Sequence, residues 1–326
     1  MKQPILKIEN LSKRYGDNQL FQDINLEVKP GEILGIIGAS GSGKTTLLHT
    51  IIGFIRPDSG SVNILEQNLV SDDSDLVYTS VEKSYNKMKK MYGFASQTPS
   101  FYEKLTVEEN LYYFGRLYGL SKQSVNANVK ALLKLLGLDT SRKILGANLS
   151  GGMERRLDIA CSLVHNPDIL ILDEPTADLD PVLRNNIWKL VEKINKKGTT
   201  IILSSHHLNE LETLCDRIAI LKNNEIIGVG SYDELSKEFT RGYEISVQTY
   251  PGNYKELKKI LKKELKKDID EVLVNEHNIV VISENSQKIL PKVIKLLKKE
   301  EKILEVTLAR PNLDQIFIGL SEKEDS

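Results

Sequence analysis

The run Gly-Ala-Ser-Gly-Ser-Gly-Lys-Thr-Thr, from Gly38 to Thr46, gathers three glycines, a lysine and four hydroxyls in nine residues. Glycines let the backbone curl until successive N–H groups face one anion, and a helix opening at the lysine adds its positive end. The run satisfies G-x-x-x-x-G-K-[ST], the cradle of a nucleoside triphosphate. Gly38, Ser40, Gly41, Ser42, Gly43 and Thr46 then line the phosphates, Lys44 bridges the β- and γ-phosphates, and the Thr45 hydroxyl ligates Mg²⁺. A second run, "DILILDEP", carries an apolar strand into Asp173 and Glu174. Beside a phosphate loop these two have distinct tasks: Asp173 holds Mg²⁺ through its water shell, and Glu174 orients and deprotonates the attacking water. A third run, "ANLSGGMERR", sets Ser150, Gly151 and Gly152 ahead of a charged helical stretch. Glycine there weakens a helix, so the bare N–H groups either await an anion or form an ordinary N-cap and turn.

These residues need elements to hold them. "EILGIIG" is a continuous apolar run that ends in glycines and passes into the helical "KTTLLHTIIGF", the strand–loop–helix order of a parallel α/β unit. "DILILDE", "TTIILSS" and "RIAILKN" supply further strands of that sheet. Ahead of them, "ILKIEN" and "LFQDINLEV" alternate like antiparallel strands, with turns at Gly16-Asp17-Asn18 and Lys29-Pro30-Gly31. Between Pro99 and His165 the pattern is almost wholly helical, an insert at about 98–166. From about Arg241 the order strand, helix, two strands, helix, strand describes a small ferredoxin-like α+β module. The expected division is therefore 1–240 and 241–326. Residues 66–90 form a long polar connection, for which a polar helix is expected.

Composition narrows the class. The 326 residues are 40% hydrophobic and 27% charged with a net charge of −1, which gives no electrostatic case for nucleic-acid binding. The lysine-rich helices near the carboxyl end interleave with acidic residues and are expected to be solvated faces. No apolar run reaches the roughly 18 residues of a spanning helix, and the start lacks a signal peptide's apolar core, so a cytosolic chain is expected. Cys161 and Cys215 lie in apolar helical patterns without metal-ligand spacing and are expected to be buried thiols.

Taken together, the motifs resemble the ATP-binding subunits of ABC transporters over nearly the whole chain: "LSGGM", Leu149 to Met153, looks like that family's signature, a short helix upstream of "ILILDEP". The resemblance implies the phosphate-loop fold of that type, with ATP and Mg²⁺ as ligands. It implies that two subunits, copies or homologues, pack head to tail, so that Ser150, Gly151 and Gly152 of one cap the γ-phosphate on the other. It assigns Tyr15 to adenine stacking. Gln97 becomes the loop residue that senses Mg²⁺ and the attacking water; proline usually precedes it, and here Ser96 does. Asp180 lies in the interface loop "ADLD", with Asp178 where a small residue is commoner. His206 becomes the γ-phosphate switch and His207 a neighbour pointing elsewhere, while Glu210 pairs locally. Phe101 and Tyr102 lie where the family receives a cytosolic helix of a transmembrane permease, which would hold the chain at the cytoplasmic face. Met153 and the ending "RPNLDQIFIGL" are similar to exporters of drugs, lipids and polysaccharides, though "SEKEDS" departs from their usual close. A soluble ABC ATPase acting on ribosomes or DNA is the alternative within the family. A phosphate-loop kinase, which needs no signature, is the alternative outside it.

Overall fold

The computed structural model describes residues 3–67, 76–82, 88–206, 208–239, 243–266, 268–275, 277–283 and 285–309. The chain divides into two compact units, Met1–Ser231 and Tyr232–Ser326. A helix at Tyr232–Phe239 thus groups with the second unit, although the texture of the sequence changes only near residue 241.

In the first unit, β1 (Leu6–Tyr15), β2 (Asn18–Val28), β4 (Ser59–Gln67) and β5 (Leu76–Ser80) form an antiparallel sheet in the order β2-β1-β4-β5. The alternation in the sequence is what buries one face: Leu6, Ile8, Leu11, Phe21, Ile24, Leu26, Val62 and Ile64 point into a single core. Within the polar segment 66–90, Leu76–Ser80 pairs with β4 as a strand. Residues 68–75 and 83–87 of that segment lie outside the described residues.

The second sheet holds β3 (Ile33–Ile37), β6 (Tyr92–Ala95), β7 (Ile169–Asp173), β8 (Thr200–Ser205), β9 (Arg217–Lys222) and β10 (Glu225–Gly230), in the order β10-β9-β3-β8-β7-β6. β6, β7, β8, β3 and β9 run parallel and β10 closes an antiparallel hairpin with β9. β3, β7 and β8 are buried along their whole length, which is why they read as unbroken apolar runs. Parallel pairing sends their carboxyl ends to one edge of the sheet, where α1 (Lys44–Ile51) begins.

The insert is helical as expected: α2 (Val107–Leu117), α3 (Lys122–Leu136) and α4 (Gly151–Leu163) pack on one another. Thr106 and Glu109 close a reciprocal capping box at the start of α2, and Gly137 ends α3 in the left-handed conformation. α5 (Pro181–Asn195) and α6 (Leu208–Leu214) complete the unit. Cys161 is buried and Cys215 half-buried; both are free, and burial raises both thiol pKa values. No helix among the described residues is long and apolar enough to cross a membrane.

The second unit contains α7 (Tyr232–Phe239), then β11 (Tyr243–Tyr250), α8 (Tyr254–Glu264), β12 (Glu271–Val274), β13 (Ile279–Ser283), α9 (Ser286–Glu300) and β14 (Lys302–Ala309). Its sheet runs β12-β13-β11-β14, antiparallel throughout, the order of a split βαβ module. Ile245, Val247, Leu257, Leu261, Val281, Ile289, Val293 and Leu297 build its separate core. The lysines of α8 and α9 stand mostly in solvent.

One buried base gives the first unit a pH-dependent element. His165 stacks on Tyr118 with ring centroids 3.6 Å apart, and its Nε2 lies 2.9 Å from the carbonyl oxygen of Tyr92. Burial lowers its pKa to about 4, a shift that the Tyr92 carbonyl only partly opposes. The folded state therefore favours neutral His165, so stability is full above the unfolded pKa of about 6.5 and declines as pH falls toward 4. The loss is on the order of 2 kcal/mol. Urea unfolding at pH 7 and pH 4.5 should show this drop in the native chain and a smaller one in His165→Gln. An equal drop in the variant would assign the slope to carboxylates.

Candidate functional site

The phosphate loop joins β3 to α1, and its shape is fixed by sterics. A Cβ at Gly38 would lie 2.6 Å from the carbonyl oxygen of Leu221, and Gly43 holds φ 94° with Leu20 oxygen 3.1 Å from where a Cβ would sit. Neither position accepts a side chain without moving backbone. α1 starts at Lys44 with no side-chain cap and no acidic residue in its first turn, so its N–H groups and positive end are free for an anion. The hydroxyl of Ser42 is buried with no hydrogen-bond partner among the described residues, as a loop built around a ligand would leave it.

Lys44 is the charge at the centre. Its side chain is 5% exposed. Nζ donates to the carbonyl oxygens of Gly38 and Ala39 at 3.0 Å each, and Glu174 Oε1 lies 4.0 Å away. Burial lowers the lysine's pKa while Glu174 and Asp173 raise it. Asp173 closes β7 at 1% exposure and accepts a 2.5 Å hydrogen bond from Ser204 Oγ at the end of β8. Glu174 follows with φ 45°, a left-handed conformation for a non-glycine residue, and its N–H donates to the same Ser204 oxygen at 2.9 Å. Its Oε2 meets His206 Nδ1 at 2.9 Å. The structure thus brings Lys44, Asp173, Glu174 and His206 together at the carboxyl edge of β3, β7 and β8.

Thr45 stands exposed in the first turn of α1, and Gln97 follows β6 at the same edge of the sheet. Thr45, Asp173 and Gln97 offer only oxygen donors, the set Mg²⁺ prefers, and no cluster of His, Cys, Asp and Glu among the described residues forms a separate metal site. Tyr15 is 54% exposed, with Lys13 Nζ 5.4 Å above its ring, and so presents a free aromatic face. His207 lies outside the described residues. Glu210 pairs locally, accepting from Arg184 at 3.1 Å and from the Trp188 indole at 2.5 Å.

The Ser-Gly-Gly turn is not part of this cluster. Ser150 occupies the N-cap position of α4, but its side chain makes no capping hydrogen bond. A Cβ at Gly151 would meet Leu179 at 3.8 Å, and one at Gly152 would meet Leu183 at 2.9 Å. The turn therefore rests on the "ADLD" loop and the start of α5. In that loop Asp180 Oδ1 accepts from the N–H groups of Val182 and Leu183 at 2.9 Å each, a helix cap that leaves its second oxygen for other partners. Asp178 is left-handed at φ 60°.

Three positioning residues escaped the motif reading. Ser204 supports the Asp173 carboxylate and the Glu174 backbone N–H, and is the fifth residue of an apolar strand, a place with no motif of its own. Arg155 is 4% exposed and donates to the backbone oxygens of Ser96 at 2.6 Å and Gln97 at 2.5 Å. Asn110 is fully buried and bonds the N–H and oxygen of Tyr102, fixing the loop that displays it. Phe101 turns inward onto Gly146, whereas Tyr102 is 48% exposed and packs edge-on against Tyr113.

A phosphate loop between strand and helix, with an Asp-Glu pair at the end of a parallel strand one removed across β8, defines a phosphate-loop nucleoside triphosphatase. The sequence model of a family described as "ABC transporter" matches residues 21–177. The linearmycin resistance ATP-binding protein LnrL of Bacillus subtilis is 30% identical over 320 residues, covering 97% of this chain and 98% of that one. The Nod factor export ATP-binding protein I of Rhizobium etli is 28% identical over 98% of this chain and 94% of its own. Among solved structures, cbiO1 from Clostridium perfringens, described as part of the ABC transporter complex cbiONQ, superposes with a TM-score of 0.63 at 28% identity, over 82% of this chain and 97% of that one. The chain belongs to the ATP-binding subunits of ABC transporters, and it is an ATPase whose hydrolysis powers transport.

Ser204 gives this geometry a direct check. Ser204→Ala removes the donor to Asp173 and the acceptor for the Glu174 N–H, leaving buried polar groups unpaired. The expected cost is about 1–3 kcal/mol of stability, read from urea unfolding, together with a higher Mg²⁺ requirement for hydrolysis. A variant with unchanged stability and Mg²⁺ dependence would remove Ser204 from the site.

Proposed function

We propose that two copies of this chain, or one copy and a homologue, pack head to tail around two ATP molecules and drive a separate transmembrane permease that exports its substrate. The observation that carries this reading is the amino end of α4: a helix start without a side-chain cap, whose Ser150 hydroxyl has no capping bond among the described residues, and whose glycines rest on Leu179 of the "ADLD" loop and on Leu183. Such an end is suited to grasp the γ-phosphate presented by another subunit.

Within each composite site, Gly38, Ser40, Gly41, Ser42, Gly43, Lys44 and Thr46 cradle the triphosphate and Tyr15 stacks on the adenine. Thr45, Asp173 and Gln97 would hold Mg²⁺, which when bound supplies neutralising charge at the β- and γ-phosphate oxygens. Glu174 takes the proton of the attacking water. His206, 2.9 Å from Glu174, keeps that carboxylate aimed and donates toward the γ-phosphate. Ser150, Gly151, Gly152 and Asp180 serve the partner's nucleotide. Export is supported by the relatives matched over nearly their full length, which serve linearmycin resistance and Nod factor export. The exposed Tyr102–Tyr113 pair on the insert suits a short helix of the permease, which would keep the protein on the cytoplasmic face of the membrane. We assign the ATPase domain to 1–240 and an accessory module to 241–326. A net charge of −1 supports no nucleic-acid partner.

Two measurements bear on this reading. Glu174→Gln keeps shape but removes the base, so light scattering should find a dimer with MgATP and a monomer with MgADP, and adding Ser150→Arg should abolish the dimer. An ATP-dependent dimer indifferent to Ser150→Arg would make the turn an ordinary helix cap. Separately, His206→Ala should lower turnover by about 10²-fold while the chain stays folded. Full activity in that variant would displace His206 from the γ-phosphate.

A further inference from the structure

The glutamine loop and the signature helix are joined inside one chain by two buried charges. From α4, Arg155 reaches the carbonyl oxygens of Ser96 at 2.6 Å and Gln97 at 2.5 Å. One turn on, Asp158, 1% exposed, accepts from both the N–H of Ser100 at 2.9 Å and its hydroxyl at 3.1 Å. The two side chains lie 3.7 Å apart, and Asp158 Oδ2 has no hydrogen-bond partner among the described residues. Among the described residues, every side-chain hydrogen bond of the pair goes to the loop. Ser96 adds one tie of its own, Oγ to the carbonyl oxygen of Thr98 at 2.5 Å.

Burying an arginine and an aspartate is unfavourable unless their hydrogen bonds are made, so this arrangement answers a constraint that apolar packing would not meet. That constraint is the loop itself. Ser96 stands where the resembled family has proline, and without the pyrrolidine ring its backbone has more states to lose. A planar guanidinium that grips two successive carbonyl oxygens removes that freedom and fixes where the Gln97 side chain starts.

We propose that Arg155 and Asp158 are positioning residues for hydrolysis: they brace the Ser96–Ser100 loop so that Gln97 reaches Mg²⁺ and the attacking water, and they tie that loop rigidly to the signature helix. The inference rests on the reading of Gln97 given above. It also means that a displacement of the glutamine loop in one composite site moves the amino end of α4, which serves the other site.

The test uses the full chain. Arg155→Met alone leaves Asp158 buried without its cation, so the informative variant is Arg155→Met/Asp158→Asn, with folding checked by thermal unfolding. We expect kcat to fall about tenfold, the Mg²⁺ concentration for half-maximal hydrolysis to rise severalfold, and the KM for ATP to stay within about twofold. Adding Ser96→Pro should restore at least a third of the lost turnover, because the ring stiffens the same backbone, and Arg155→Lys should fall between native and double variant. Proportional losses in kcat, KM and unfolding temperature without rescue by Ser96→Pro would overturn the proposal, as would native turnover in the folded double variant. Gln97→Ala runs alongside. If it lowers turnover and the double variant does not, the brace fails and the reading of Gln97 stands. If Gln97→Ala itself keeps native turnover and Mg²⁺ dependence, the reading of the glutamine falls, and the brace with it.

Discussion

A buried ammonium without a full counter-ion organises this protein. Lys44 is held by two carbonyl oxygens at 3.0 Å and sees the nearest carboxylate only at 4.0 Å. Carbonyl dipoles offset part of its desolvation, and a triphosphate offsets the rest. The parallel strands exist in this order to deliver that arrangement: β3 brings the lysine, β7 the two carboxylates, β8 the serine beneath them and the histidine beside them. Because the strands are buried along their length, the site inherits the rigidity of the core.

The same logic extends outward through backbone contacts. α4 carries Arg155 and Asp158 to the loop after β6, and its amino end rests through Gly151 and Gly152 on Leu179 and Leu183. That helix therefore touches the loops that follow both carboxylate and glutamine strands. The insert thus meets the loop after β6 through polar contacts and displays Tyr102 and Tyr113 on its surface.

The parts of this structure that were legible in the sequence are those in which local chemistry dictates residue type. A phosphate loop must have glycine where backbone passes within 2.6 Å, and an interior parallel strand must be apolar at every position, so Gly38 and "ILILD" announce themselves. Hydrophobic periods likewise revealed the insert and the order of the second unit. Ser204 and Arg155 were not legible because their importance depends on partners 30 to 59 residues away, Glu174 and Asp173 for one, Ser96 and Gln97 for the other. An arginine in a run of Glu-Arg-Arg looks like solvated charge until the fold buries it. Leu76–Ser80 was not legible as a strand because this short run sits in a polar stretch, where pairing with β4 decides the conformation.

In Glu174 the backbone and the side chain want different things. Its φ of 45° suits glycine or asparagine, whereas its carboxylate must stand beside His206. Such a conformation costs on the order of 1 kcal/mol, and the Ser204 hydroxyl helps to hold it. Selection for a tougher molecule and selection for a working one thus pull this position in opposite directions. A library screened only for heat resistance would enrich glycine or asparagine at residue 174, and with Glu174 as the base proposed above its survivors would be well-folded proteins that bind ATP and do not hydrolyse it.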